Sequence, residues 1–466
     1  MQPVEPLLPP LSRRSALGWW SVGIAAVILL GVTPLWGGSP WLGGALGMVM
    51  LTAPLWISKP HLVLLATIIV MLLPDGMIDP DLSSTLSLLL LLASLALWLL
   101  QAAFRRRVLV WTAPVLMMVL FYLWALVSLL WATDLIVARH ELVQYFLVIL
   151  VAFLLVNQID SLARLDRFMA MLAWSGWILI GAALWTLAKG GFVAGERFQV
   201  LMLNENTLST LLLLALPGIL WPAVHKPSHR WGWLLLSLLY LGCAIGFTAL
   251  SGSRGGLIAF IALFVIFGFT RTTKRWARWG FSVLLLLLAF APILFTTVGE
   301  RFTAPTVGDD FGGRDLLWQA GLLLIAEQPL TGAGIGNGPY LMPHYINILA
   351  DEDHLWERQQ YPAHNPFIEV GTDLGLPGMV LYGTILVTAA WRLLLAWTAA
   401  KREQQQAICA YCELVTCISV AVLLTWGKSG GMDSHLTIFL LVSMWIIPGR
   451  LSQYSIKRLI NERVIV

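Results

Sequence analysis

Charge is scarce in this sequence. Of its 466 residues only 12% are Asp, Glu, Lys or Arg, against 58% that are hydrophobic. That leaves too little polar surface to cover a water-soluble fold of this size, so such a fold is excluded. No block of like charge is present either. The net charge of +4 is dispersed through short loops between apolar runs, which argues for membrane topology and against a nucleic-acid partner. Cysteine is sparse, and Cys243, Cys409, Cys412 and Cys417 all fall inside apolar runs. Cys409 and Cys412 form a C-x-x-C without neighbouring His or Cys ligands, so they read as packing residues and not as a metal or redox site.

What the chain has instead is long apolar runs, at a mean hydropathy of +0.80. A membrane-crossing helix needs ~20 such residues. Runs lie near 18–35, 40–57, 61–74, 84–103, 109–131, 140–157, 168–188, 207–225, 231–250, 255–270, 279–297, 366–396, 406–426 and 435–449. The expected fold is therefore an all-α polytopic membrane protein of about 12–14 transmembrane helices. It forms one integral domain, residues 1–466, with a single large extramembrane insert at 298–365. Many of the 23 tryptophans, Trp19, Trp36, Trp111 and Trp131 among them, stand at the ends of runs as interfacial anchors. Arg13 and Arg14 precede the first run, which lacks a small-x-small cleavage site and reads as an uncleaved span.

With the N-terminus inside, all but eight of the 29 basic residues fall on the cytoplasmic side. That asymmetry fixes the orientation and puts both termini in the cytoplasm. The outward side then carries the insert, the loops bearing Arg197 and Arg254, and the loop 428–435. Topology has no use for cations there. Arg254 sits in Ser251-Gly252-Ser253-Arg254-Gly255-Gly256, where glycines let backbone amides approach a ligand. Arg197 precedes Asn204-Glu205-Asn206-Thr207. Either asparagine can cap the next helix, and capping is the expected role of Asn206 in particular. Two guanidinium forks from separate loops suit a pyrophosphate. Arg139, beside His140 and Glu141 at another helix start, is a third possible phosphate contact.

Within the insert, 314–327 has apolar positions at helical spacing without the length to span, so a short interfacial helix is expected there, opened by Arg314. The glycines Gly334, Gly336 and Gly338 lack the strand and βαβ context of a nucleotide loop and read as a tight turn. The acidic residues Asp309, Asp310, Asp351 and Asp353 read as a solvated face and not a cation site.

The insert ends in Tyr361-Pro-Ala-His364-Asn365-Pro366, where a polar segment meets a membrane helix. Asn365 suits the N-cap and Pro366 the first helical position. His364 thus stands at a helix mouth, where free amides and the helix dipole favour an anion and an imidazole can accept a proton from a hydroxyl. Glu369 and Asp373, in the first turns of that helix, are intramembrane acids able to orient His364, bind sugar hydroxyls or pair with an arginine. Asp433 and His435 are weaker candidates of the same kind.

Taken in order, Arg197 with Asn204-x-Asn206-x-Leu208, Ser253-Arg254-Gly255, Gly313-Arg314-Asp-Leu-Leu-Trp318, Pro329-Leu-Thr-Gly-Ala-Gly-Ile-Gly336 and His364-Asn365 followed by Gly375-Leu-Pro-Gly378 resemble the O-antigen ligase and polymerase superfamily over about residues 190–380. The resemblance implies an inverting, metal-independent glycosyltransferase of the bacterial inner membrane, working at the periplasmic face without a cofactor. Its donor would be an undecaprenyl-pyrophosphate-linked glycan and its acceptor a hydroxyl of lipid A–core, with membrane lipids around it. Carried over by position, Arg197 and Arg254 would hold the pyrophosphate and His364 would activate the acceptor. Arg139, Arg314, Asn204, Glu369 and Asp373 would be secondary site residues. Two alternatives are a polymerase joining lipid-linked repeat units and a transporter of lipid-linked sugars. No inverted repeat supports the transporter.

Overall fold

The computed structural model describes residues 59–74, 77, 80–104, 109–191, 198–201, 203–225, 230–270, 274, 278, 280, 314–350, 360–426 and 432–464. These form helices joined by tight turns, and no strand occurs among them. In chain order the helices are α1 (Pro60–Leu72), α2 (Pro80–Phe104), α3 (Ala113–Val127), α4 (Leu135–Gln158), α5 (Leu162–Ala188), α6 (Glu205–His225) and α7 (Arg230–Leu250). They continue with α8 (Arg254–Phe269), α9 (Arg314–Glu327), α10 (Gly338–Ala350), α11 (Pro366–Arg402), α12 (Gln406–Trp426) and α13 (Met432–Val464).

Eight of the described helices are long and apolar enough to cross a membrane, and α1, α8 and the 435–451 part of α13 are shorter apolar helices. The chain is a multi-pass membrane protein. The expected runs 18–35, 40–57 and 279–297 lie outside the described residues, as do the acidic positions 309–310 and 351–353. Leu89 and Leu99 on α2 and Leu116 and Leu123 on α3 are large, exposed and aliphatic, as suits lipid-facing positions. Close helix contact comes from small residues. A side chain at Gly218 of α6 would collide with the backbone of Met169 and Ala173 on α5, so Gly218 lets the two helices touch. Cys412 is buried in the helix core, as a packing residue would be, and Cys409 is partly buried beside it.

The two ends of the bundle differ. At one end Arg164 pairs with Asp160 at 3.0 Å, Arg450 donates to the carbonyl of Val156, and the Trp221 indole donates to Asp166 at 2.6 Å. The other end gathers the starts of α4, α6, α8, α11 and α13 with the ends of α7 and α12. There α9 and α10 form a hairpin over the first turns of α11. Ala320, Leu324, Met342, Tyr345 and Ile346 make a small separate core with Ala363 and Ile368. Tyr345 donates to Glu327 at 2.9 Å and ties the two hairpin helices together.

One element departs from the continuous span expected at 366–396. The long helix α11 breaks at Gly375, which has φ 66° and ψ −169°. Pro377 follows and has no N–H to return to the helix. The carbonyls of Thr372, Asp373 and Leu374 therefore lose their helical partners. They accept instead from Ala333 N–H (2.8 Å), Gly334 N–H (2.9 Å) and the Trp124 indole (2.9 Å). In return, Leu376 N–H donates to the carbonyl of Pro329 at 2.7 Å. Buried backbone groups must be paired in a membrane interior, so this external pairing is what permits the break.

Candidate functional site

The loop that repairs the break, residues 329–338, is the glycine-rich turn of the sequence. It is a tight turn, as expected, exposed at 329–331 and buried from Gly332 to Gly338. Gly332, Gly334 and Gly336 all have positive φ, of 60°, 91° and 73°. At Gly334 a side chain would also strike Ala132, and at Gly336 it would strike Glu141. Glycine is demanded there on both counts. The loop is keyed to the turn before α4 by Asn337, which is fully buried. Its Oδ1 accepts from Thr133 Oγ1–H and Asp134 N–H, both at 2.8 Å, and its Nδ2 donates to the carbonyls of Ile335 (2.9 Å) and Asp134 (3.3 Å). Asp134 in turn caps α4, accepting from Ile136 and Val137.

Asp373 grips the same loop. Its Oδ2 accepts from Gly336 N–H and its Oδ1 from Gly338 N–H, each at 2.8 Å. Of the roles open to this acid in the sequence, its observed contacts are with the loop. Glu369, one turn earlier, reaches His364: the backbone N–H of His364 donates to Glu369 Oε1 at 3.1 Å.

His364 is held from both sides. The indole of Trp318 on α9 donates to the carbonyl of Ala363 at 2.9 Å. Asn365 caps α11 as expected, its Oδ1 accepting from Phe367 N–H (3.0 Å) and Ile368 N–H (3.4 Å), with Pro366 in the first turn. Between these fixed neighbours His364 has φ +51°, a left-handed conformation uncommon outside glycine. Burial, and then the charge of Arg314, push the imidazole below its ordinary pKa of 6.5. A neutral ring with a free acceptor nitrogen is the form able to take a proton. Arg314 itself is the first residue of α9 and is half-buried.

Arg254 opens α8 and is exposed. Ser253 caps that helix, accepting from Gly256 N–H at 3.2 Å, while its hydroxyl donates to Asn206 Oδ1 at 2.9 Å. This corrects the expected capping role. Asn204 is the residue that caps α6, accepting from Asn206 N–H at 2.9 Å, and Asn206 braces the Arg254 turn instead. Arg197 lies outside the described residues. The next residue in the chain, Phe198, donates its N–H to the carbonyl of Leu250 at 3.3 Å and stacks on Phe247, so the chain after Arg197 runs beside the Arg254 turn. From Asn206 a line of contacts leads towards His364. Thr210 donates to the Asn206 carbonyl and to Thr425 of α12, and Trp426 packs on Phe367 at 5.0 Å.

Next to Glu369 and Pro362 opens a cavity of about 590 Å³. Its walls include His140, Glu141 and Tyr145 from α4, Gly336 and Tyr340 from the loop and α10, and Asp373 with Glu369 from α11. At its floor His435 is fully buried. Its Nε2 bonds the Tyr145 hydroxyl at 2.8 Å and its Nδ1 the Tyr382 hydroxyl at 3.2 Å, which matches the one donor and one acceptor of a neutral imidazole. Arg139 is exposed on the first turns of α4 and is not among the lining residues, nor are Arg254 and His364. Asp433 has no described side chain. Sequence reasoning gave Glu141 and His140 only as neighbours of Arg139. An acid in the second turn of an apolar helix is itself a signal of function, and it could have singled out Glu141.

Residues 236–383 match a family model described as O-antigen ligase. The resemblance to the O-antigen ligase and polymerase superfamily holds there. This ligase-family stretch contains Arg254, Arg314, His364, Glu369 and Asp373, and it ends just after the break in α11. Arg139, Arg197 and Asn204 precede it. The chain is also 32% identical over 83 residues to the exopolysaccharide production protein ExoQ of Rhizobium meliloti strain 1021. That alignment covers 16% of this chain and 18% of ExoQ.

Proposed function

We propose that the protein is an inverting membrane glycosyltransferase that moves a glycan from an undecaprenyl-pyrophosphate carrier to an acceptor hydroxyl. The observation that carries this reading is His364. A half-buried imidazole, pushed towards its neutral form and fixed through the two bonds made by the peptide group that precedes it, stands at a helix mouth inside the segment that matches the O-antigen ligase family.

In the reaction, His364 accepts the proton of the acceptor hydroxyl as its oxygen attacks the anomeric carbon. The bond from that carbon to the pyrophosphate oxygen breaks on the opposite face, and the electron pair leaves with the lipid pyrophosphate. Arg254, with Arg197, stabilises the developing negative charge. Inversion follows from attack opposite the leaving group. The site lies at the periplasmic face of the bacterial inner membrane, with both termini cytoplasmic. Arg164 at the start of α5 and Arg450 within the second half of α13 then lie towards the cytoplasm, in keeping with the positive-inside rule.

The acceptor of the first reading is lipid A–core, which makes the protein a ligase. In a second reading the acceptor is another lipid-linked repeat unit, and the likeness to an exopolysaccharide production protein favours it. Purified protein supplied with a lipid-linked glycan and each acceptor in turn separates the two. A single transfer onto lipid A–core supports ligation, a ladder of lengthening lipid-linked chains supports polymerisation, and product from neither acceptor overturns both.

A further inference from the structure

We infer that the cavity beside Glu369 is the subsite for the acceptor's terminal sugar, and that it selects an uncharged, hydroxyl-rich ring over a phosphorylated or acidic one. This rests on the transferase reading above and names the substrate class for which its geometry is suited.

Three observations carry it. First, about 590 Å³ is within the ~300–1,000 Å³ that small-molecule sites occupy, so a sugar ring fits. Second, the ionisable side chains that line the cavity are three carboxylates, Glu141, Glu369 and Asp373, with two histidines and two tyrosines, and no Lys or Arg is among the described lining residues. Carboxyl oxygens accept hydrogen bonds from the hydroxyls of a sugar ring, whereas a lining without a cation offers a second anion no partner. The pyrophosphate of the donor therefore belongs at the arginines, and the neutral acceptor belongs here. Third, Glu141 is left available. Asp373 is committed to two glycine amides and Glu369 to the His364 amide, whereas no described residue donates a hydrogen bond to Glu141. The glycine at 336 leaves the space that the Glu141 side chain occupies, since a Cβ there would lie 2.9 Å from Glu141 Cγ. Across the cavity mouth Gln360 donates to the Tyr340 hydroxyl, which gives an aromatic and amide rim of the kind that lies along a sugar face.

Position links the cavity to the chemistry. Glu369 forms part of its wall and accepts from the backbone of His364, so the cavity adjoins the turn that carries His364.

The test is ligand-observed saturation-transfer NMR on the full chain in lipid nanodiscs, without donor, using methyl glucoside and glucose 6-phosphate as probes. The expected result is binding of methyl glucoside at least about tenfold tighter than the phosphate. Glu141→Gln, which puts an amide N–H donor in place of the acid at constant shape, should shrink that ratio to within about threefold by giving the anion a donor. Tyr340→Ala, at a partly exposed rim position, should weaken the glucoside by about tenfold and serves if Glu141 variants do not fold. Equal binding of both probes by the unaltered protein, or an unchanged ratio in folded Glu141→Gln, overturns the subsite. Because no turnover is read, glucoside selectivity without any transfer to an acceptor would overturn the transferase reading and leave the sugar subsite standing. Transfer without sugar selectivity would do the reverse.

Discussion

Asp373 closes both of its carboxylate oxygens on the glycine loop, one on Gly336 N–H and one on Gly338 N–H, each at 2.8 Å. The acid thereby joins the short upper part of α11 to the loop that shapes the cavity. Replacing it by Asn turns one acceptor into a donor facing an amide N–H. Asp373→Asn is predicted to cost about 1–3 kcal/mol of stability for the group left unpaired. A thermal unfolding midpoint equal to that of the unaltered protein would refute the anchor.

His364→Ala should leave expression and unfolding unchanged while reducing transfer by about 10²–10⁴-fold, the usual contribution of a positioned base. Steady-state assays with saturating donor and acceptor measure it. Retention of more than about a tenth of the activity would remove His364 from the reaction as its base.

The pH profile follows from the sign of the His364 shift. In the proposed reaction the neutral imidazole is the active form, so activity is expected to rise with pH through its pKa. Burial and Arg314 both lower that pKa, and the acid limb should therefore lie below the ordinary histidine value of 6.5. Arg314→Met removes one of the two causes, raises the pKa and should move the acid limb to higher pH. A limb that stays put, or moves to lower pH, would show that Arg314 does not act on this ring.

Arg254→Ala should weaken use of the pyrophosphate donor and lower turnover together, and Arg254→Lys should restore little if contact is bidentate. The measurement is transfer rate against donor concentration at fixed acceptor. An acceptor-only effect would place Arg254 elsewhere in the reaction.

Asn337→Ala deletes a side chain that accepts from Thr133 and Asp134 and donates to two carbonyls. Loss of the buried partner for Asp134 N–H should destabilise by about 1–3 kcal/mol. If unfolding is unaffected, the loop is held by Asp373 and the break in α11 alone.

Much of this was legible in the sequence because it is local. Hydropathy located eleven of the described helices, most with ends within about six residues although the last runs on to Val464, and Asn365-Pro366 announced a cap that the structure contains. The short helix 314–327 and the tight glycine turn were equally readable. What was not legible is what requires distant segments to meet. Gly375 and Pro377 are visible in the sequence, but whether they break a helix depends on Ala333, Gly334 and Trp124 arriving to take the freed carbonyls. Asn204 and Asn206 are equivalent caps by type. Only the arrival of Ser253 decides that Asn206 is used elsewhere. The cavity was out of reach for the same reason, since its walls come from α4, α10, α11 and α13.

The elbow at Gly375 has a final consequence. The three orphaned carbonyls of its upper arm are all satisfied by atoms from other parts of the chain, so swinging that arm would strip three hydrogen bonds at once. The imidazole rides on that arm. His364 is therefore stationary, and in the proposed reaction it is the substrates that must travel to meet it.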